Sequence, residues 1–413
     1  MVQIRKYFGG DRIIWAVIIV LSLYSLLAVY STSGILVFRN PGSSPAYFVL
    51  RHTMFLLTGF LLVYLTHLIP YKYFSRLSQL LVVIAIPLLV ITLFFGKSIN
   101  EANRWLELPL IGLTFQTSDF AKLALIMYLA RLLSQRQDEI KDFYRAFLPL
   151  IIPTGIICLL IMPEDLSTAL ILLATCVILM FVGRVNTRHL LLLSAGVMIV
   201  IASYVGISML VDNQGRVGTW KNRIESYLDG ETEDYQVEQA KIAIARGGLL
   251  GKFPGNSTQR NFLPHSYSDF IYAVIIEEYG LLLGGIPILL MYLILLYRAG
   301  VMVRKSTRTF PAFLAIGLTL GLVFQAMVHM AVSVNLLPVT GQPLPLVSMG
   351  GTSLILTSLS LGMILSVSKG IREQRMQAES ETAATTARAK TPAAKAATAA
   401  NTAKTVQEVE TPD

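Results

Sequence analysis

The feature that most constrains this chain is the grouping of its apolar residues into about ten blocks, most of them close to the ~20 residues that cross a bilayer core as helix. They fall at Ile13–Tyr30, Thr53–Ile69, Leu77–Phe95, Ser118–Leu133, Phe147–Met162, Ser167–Val182 and His189–Leu210, then at Phe270–Tyr297, Phe310–Val332 and Thr352–Val367. Only 14% of the 413 residues are charged and 54% are hydrophobic, whereas a soluble domain carries about 25% charged residues. Too little polar surface remains for water, so the sequence predicts an all-α, polytopic integral membrane protein of about ten transmembrane helices. The first block lacks a small-residue cleavage site and reads as a retained helix, not a signal peptide.

The net charge of +9 does not point to nucleic acid, because most Lys and Arg lie in short connections, where they set topology. The N-terminus, the even-numbered short loops and the C-terminal flank hold about eighteen of them, against about four in the odd-numbered short loops. Both termini are therefore expected in the cytoplasm, with the long connection Val211–Ser268, between the seventh and eighth helices, outside. Cys158 and Cys176 both lie in apolar segments, which leaves neither a disulfide framework nor a zinc pattern. From Ala378 the composition turns Ala/Thr/Lys-rich and cannot bury a core. Residues 1–377 are thus expected to form the membrane domain and 378–413 a disordered cytoplasmic tail.

The chemically unusual residues gather on the outer side. In RWLELPLIGLTFQTSDFAK (Arg104 to Lys122), Thr117 or Ser118 can cap the fourth helix, and Asp119 in its first turn shares a face with Lys122. The plainer alternative is a capped helix whose lysine snorkels to the interface. Asp165, in PEDLSTA, taken alone reads as a carboxylate at the start of the sixth helix. In the long loop, YQVEQAKIAIARGGLLGKFPGNSTQ begins with helical apolar spacing and ends in glycines. It suggests an interfacial amphipathic helix followed by a turn that needs positive φ. Lys241, Arg246, Lys252 and the glycine N–H groups are candidates for neutralising phosphate, although attraction to anionic lipid explains the segment alone more simply.

Asp269 stands at the outer mouth of the eighth helix, where Ser266 or Ser268 could cap, and the adjacent Glu277 and Glu278 lie about two turns deeper. Such carboxylates are costly in a span unless paired or protonated. The ninth loop, NLLPVTGQPLPLVSMGGTSL, has three prolines, a double glycine and no Lys or Arg. Irregular backbone of this kind is tolerated at membrane depth only when buried in protein or lining a cavity. His329 just before it reads as a satisfied core histidine, with no metal-ligand spacing around it.

These segments together resemble the SEDS (shape, elongation, division and sporulation) family of FtsW and RodA proteins. RWLELPLIGLTFQTSDFAK is similar to the family's RW…G…QPSE…K signature, and QVEQAKIAIARGGLLGK…GNSTQ…LP…DFI to its long-loop signature. LLPVTGQPLPLVSMGGTSL is similar to PVTG.PLP..S.GG.S. The resemblance runs in order from the first helix to the last. It implies a peptidoglycan glycosyltransferase of the bacterial cytoplasmic (inner) membrane that polymerises lipid II on the periplasmic face. The implied partners are a class B penicillin-binding protein acting as transpeptidase and other divisome proteins. The family's essential aspartate corresponds to Asp269, its fourth-helix acid and base to Asp119 and Lys122, its Arg-Trp to Arg104 and Trp105, and the aspartate of QPDLGT to Asp165. Arg246, Ser257 and Gln259 of the long-loop signature are expected to contact substrate. The sequence departs from the pattern at Glu164, Ser167, Asp119, His265 and Tyr267, where the family usually has Pro, Gly, Glu, Glu and His.

The resemblance makes Asp269 the candidate general base for the acceptor sugar's 4-hydroxyl. Lys122, Arg104 and Arg246 are the candidates for the leaving pyrophosphate. A divalent cation, Mg or Mn, could share that work, although the sequence shows no dedicated ligand set. The long tail points to the division branch over the elongation branch. Two other classes stay open from the residues: a lipid II flippase using the same groups as a pathway, and a non-catalytic scaffold for the transpeptidase.

Overall fold

The computed structural model describes residues 9–39, 42–99, 102–107, 114–210 and 235–409. Its long helices are α1 Arg12–Arg39, α2 Pro45–Leu68, α3 Lys72–Phe95, α4 Thr117–Gln135, α5 Leu148–Ile161, α6 Leu166–Val182 and α7 Thr187–Leu210. They are followed by α8 Tyr235–Gly247, α9 Ile271–Gly280, α10 Ile286–Lys305, α11 Thr309–Ser333 and α12 Gly351–Val409. Each expected apolar block is helical. Among the described residues, seven helical segments are long and apolar enough to cross a membrane. The blocks outside that set are α6, with only 17 residues, the described Thr187–Val200 part of α7, and α4, which carries Asp119, Lys122 and Arg131.

Burial sorts the helices by depth in the bundle. The apolar windows of α11 and α12 are 72% buried, against 22% for α2 and 28% for α3. The outer helices turn leucines such as Leu57, Leu61 and Leu80 outward, as expected where lipid is the solvent. Close approach at the centre depends on small residues. A Cβ at Gly317 of α11 would stand 2.9 Å from Ile126 of α4 and from Leu179 of α6. Likewise, Gly59 of α2 faces Ser358 of α12, and Gly362 of α12 faces Val63 and Thr66.

The all-α bundle carries one small sheet outside its helices. The connection between α3 and α4 contains an antiparallel sheet of β1 Lys97–Ile99, β2 Ala102–Glu107 and β3 Thr114–Gln116. Its register sets Trp105 opposite Gln116, which brings β2 to the start of α4. Helix caps also differ from expectation. Gln116 is the N-cap of α4 and makes no side-chain cap bond, which puts Thr117 and Ser118 inside the helix. Phe270, not Ser266 or Ser268, precedes α9, again with no side-chain cap. Asp165 does cap α6, accepting from Thr168 N at 2.9 Å.

The eighth span is a single 35-residue helical run, Ile271–Lys305, with a π turn at Leu281–Gly285 just after Gly280 at φ 74°. A second π turn, Phe143–Phe147, leads into α5. The expected interfacial helix exists as α8, but its apolar face meets protein instead of lipid. Val237, Ala240 and Ala243 are buried with Leu263, Phe270, Ala273, Val274 and Val332. Residues 211–234 of the long loop lie outside the described residues. At the other terminus, where a disordered tail was expected from Ala378, the backbone is helical to Val409. Alanine and lysine favour helix locally.

Candidate active site

The irregular segment 334–350 between α11 and α12 is fixed by side chains from three helices and by bonds to the 267–268 backbone, which answers the backbone's need for partners at membrane depth. Gln325 Nε2 donates to Pro343 O at 2.8 Å, and His329 Nδ1 lies 2.8 Å from Gln342 O. Tyr292 of α10 donates to Pro345 O, and Ser25 of α1 to Val347 O at 2.8 Å. Ser348 Oγ donates to Ser268 O at 2.6 Å, and Met349 N to Tyr267 O at 3.0 Å. Leu346, almost fully buried, holds φ 67°. A non-glycine residue keeps such a conformation only where its surroundings impose it.

This segment draws several of the expected site residues together. Asp119 Oδ1 pairs with Lys122 Nζ at 2.7 Å. The same ammonium donates to Gln325 Oε1 at 3.2 Å, and Gln325 in turn holds Pro343. Gln342 Nε2 donates to Thr168 Oγ1 at 2.6 Å and to Asp165 Oδ2 at 3.3 Å, so Asp165 anchors the segment to α6. Asp269 lies at the other side, half-buried. A Cβ on Gly341, which holds φ 65°, would stand 3.7 Å from Asp269 Oδ2.

Three polar groups here are left open. Among the described residues, Asp119 Oδ2 and His329 Nε2 are buried without a hydrogen-bond partner, and no partner to the Asp269 carboxylate is found. A buried polar atom without a protein partner calls for an explanation, and Gln259 Oε1 and Tyr279 Oη beside the glycine-rich loop are in the same position. Beside Asp119 and Lys122 a cleft opens between α4, α6, α11 and α12, its wall mainly aliphatic (Ile126, Leu172, Leu318, Leu356). His329, Gln325 and Gln342 were not expected as site residues. One available signal was the four-residue spacing of Gln325 and His329, which sets both on one face of α11.

The glycine-rich part of the long loop is arranged differently. Lys252 N donates to Glu277 O at 3.0 Å, Leu281 N to Gly248 O at 2.9 Å and Leu282 N to Leu249 O at 3.1 Å. A Cβ at Gly251 (φ 79°) would lie 2.3 Å from Glu278 O, and one at Gly280 2.3 Å from Leu249 O. Only glycine permits this backbone contact. The positive φ expected of the turn is present, but its N–H groups are not free for phosphate. Gly248 N and Gly251 N close the end of α8 on Ile244 O and Gly247 O.

Ser257 and Gln259 face inward, onto Glu277. That carboxylate accepts from Ser257 Oγ, from Thr258 N and Gln259 N at 3.2 Å each, from Thr258 Oγ1 at 3.0 Å and from Lys252 Nζ at 3.0 Å. Arg246 donates to Thr258 Oγ1 at 2.9 Å, which places it behind this network. Glu278 accepts from Ser31 Oγ and lies 3.9 Å from Arg260. Trp105 is half-buried on β2, and the side chain of Arg104 lies outside the described residues. No three His, Cys, Asp or Glu residues converge among the described residues.

Comparison with known proteins identifies the family. Residues 11–373 match the family model FTSW_RODA_SPOVE, described as cell cycle protein. The chain is 32% identical over 370 residues to the probable peptidoglycan glycosyltransferase FtsW of Trichlorobacter lovleyi, covering 88% of this chain and 94% of that protein. It is 34% identical over 365 residues to that of Coxiella burnetii, covering 86% and 95%. Stage V sporulation protein E of Bacillus subtilis is 31% identical over 372 residues, covering 88% and 98%. Among solved structures, a chain from a peptidoglycan synthase complex that coordinates polymerization and crosslinking superposes with a TM-score of 0.69 at 27% identity, over 87% of this chain and 97% of that one. The rod shape determining protein RodA of Thermus thermophilus shares the fold, with a TM-score of 0.63 at 24% identity over 88% and 98%. This multi-pass membrane protein belongs to the SEDS family of FtsW, RodA and SpoVE.

Proposed function

We propose that this protein is a peptidoglycan glycosyltransferase that polymerises lipid II at the outer end of a ten-span bundle, in the division role of its FtsW relatives. The observation that carries the proposal is the Asp269 carboxylate, half-buried against Gly341 with no partner among the described residues, beside a segment also tied to Lys122 through Gln325. In this reading the membrane domain covers residues 1–377, the tail follows it, and both termini are cytoplasmic.

Lipid II is a disaccharide-peptide on a polyprenyl pyrophosphate. The acceptor's 4-hydroxyl loses its proton to Asp269 as its oxygen bonds the anomeric carbon of the growing chain. The anomeric C–O bond breaks, and the pyrophosphate leaves with the electron pair. A positioned base contributes about 10²–10⁴-fold to such a step. Lys122, held by Asp119, supplies positive charge for the departing pyrophosphate, and Arg104 and Trp105 on the sheet beside α4 contribute from the rim. Asp165 holds the 334–350 segment in register through Gln342. Arg246, Ser257 and Gln259 act on substrate indirectly, by setting the loop around Glu277. The aliphatic cleft below Lys122 suits the polyprenyl chain. A divalent cation carried on the pyrophosphate would belong to the substrate, and no step above depends on it.

The relative solved in a complex that coordinates polymerization and crosslinking supports a class B penicillin-binding protein as partner. The test is polymerisation of lipid II by the purified protein, with and without its transpeptidase, beside Asp269→Ala. Glycan product absent only in the variant supports the proposal. Lack of polymer from folded wild type with partner would overturn it. The cleft also favours a second reading, lipid II translocation, and flipping in vesicles that survives Asp269→Ala would select it.

A further inference from the structure

At the end of the bundle opposite the candidate active site, the start of α1, the end of α10 and the middle of α12 enclose an open pocket. Its rim carries Arg12, Arg298, Lys305, Arg372 and Arg375 against two carboxylates, Asp11 and Glu379. Asp11 is already committed. It accepts from Ile13 N at 2.9 Å, as the cap of α1, and pairs with Arg298. Arg12, Lys305, Arg372 and Arg375 have no hydrogen-bond or ion-pair partner among the described residues. Four open cations from three helices therefore converge on one hollow with a single uncommitted acid.

The position of the pocket selects the ligand. Arg372 follows Gly351, the start of α12, by about 31 Å of helix at ~1.5 Å per residue, close to the ~30 Å of a hydrocarbon core. The cations thus stand at the level of lipid headgroups. Just inside them the wall turns apolar, with Ile13, Val301, Met302 and Ile371, and Ile13 is 44% exposed on the outside of α1. A charged rim above an apolar wall that opens sideways matches a phosphate on a glycerol bearing acyl chains, whereas a free anion would have no use for the wall. A bias in loop charge that only sets topology needs neither convergence nor a hollow.

We propose that this pocket holds the headgroup of an anionic phospholipid. Basic side chains at a membrane surface contribute about five-fold each to anionic-lipid binding, so losing two lowers occupancy about 25-fold. The experiment is native mass spectrometry of the full-length protein in detergent, titrated with phosphatidylglycerol or phosphatidylcholine, with melting temperature read in parallel. Wild type is expected to retain phosphatidylglycerol selectively and to be stabilised by it. Arg372→Gln/Arg375→Gln and, independently, Arg12→Gln/Lys305→Gln are expected to lose that preference at least ten-fold. Arg188→Gln/Arg304→Gln, the same charge change at the same end outside the pocket, is expected to keep it. Equal retention in both pocket variants, equal loss in the control, or full displacement by inorganic phosphate would overturn the assignment.

Discussion

Two irregular segments pack against the same end of the bundle, and they treat buried charge in opposite ways. Around Glu277 and Glu278 the 247–260 loop saturates its carboxylates: Glu277 alone accepts five bonds, from Lys252, Ser257, Thr258 and Gln259. Around the 334–350 segment the backbone is equally well fixed, yet among the described residues Asp119 Oδ2 and His329 Nε2 are buried without a partner and the half-buried Asp269 carboxylate has none. Both regions hold acids that are expensive in a membrane. A saturated acid has spent its capacity on structure, while an open acid on a rigid frame is available to a substrate. The contrast is what favours the Asp269 side as the place of the proposed chemistry, where sequence alone saw carboxylates in both segments.

The contrast can be broken by substitutions on each side. Asp269→Ala is expected to lower polymerisation by about 10²–10⁴-fold with the melting temperature unchanged, because no described residue depends on that carboxylate. Glu277→Ala should do the reverse. It orphans the buried donors of Ser257 and Gln259, each costing about 1–3 kcal/mol. The expected loss is about 3 kcal/mol in a reversible unfolding measurement, since the part-exposed Lys252 recovers its share in water. A Glu277 variant of normal stability would remove the saturated network as a structural element. Gly251→Ala forces a Cβ against Glu278 O at positive φ. It should cost about 2 kcal/mol of strain, seen as easier proteolysis of the loop. Smallest is Gln342→Leu, which frees the 334–350 segment from Thr168 and Asp165. About 1 kcal/mol of stability is expected to go, with a larger relative fall in turnover than in partner binding if the segment positions the site.

Much of the fold was legible because the bilayer imposes one simple rule, a run of apolar residues per span. What was missed follows from shorter-range or longer-range causes. The sheet 97–116 is built from strands of three to six residues, too short for alternation to stand out beside the apolar runs. The π turns at Phe143–Phe147 and Leu281–Gly285 leave the apolar composition of their spans unchanged, so block counting passes over them. Thr117 and Ser118 looked like caps by residue type, but β3 delivers the chain to α4 one residue earlier, at Gln116. In the site, the Asp119–Lys122 pair was readable because helical spacing alone brings it together. Links such as Gln342 to Thr168, or Lys122 to Gln325, join residues far apart in sequence, and no periodicity encodes them. His329 looked like ordinary core for the same reason: its open Nε2 exists only once Asp269 and the 334–350 segment are in place.

The central claim, that the open acid carries the chemistry and the saturated acid carries the structure, is tested most directly by one paired measurement on Asp269→Ala. Lipid II polymerisation with the transpeptidase partner is measured together with melting temperature on the same preparation. The account predicts lost polymerisation at wild-type stability. Near-normal glycan synthesis by that variant, or a loss of activity that only tracks unfolding, would contradict it.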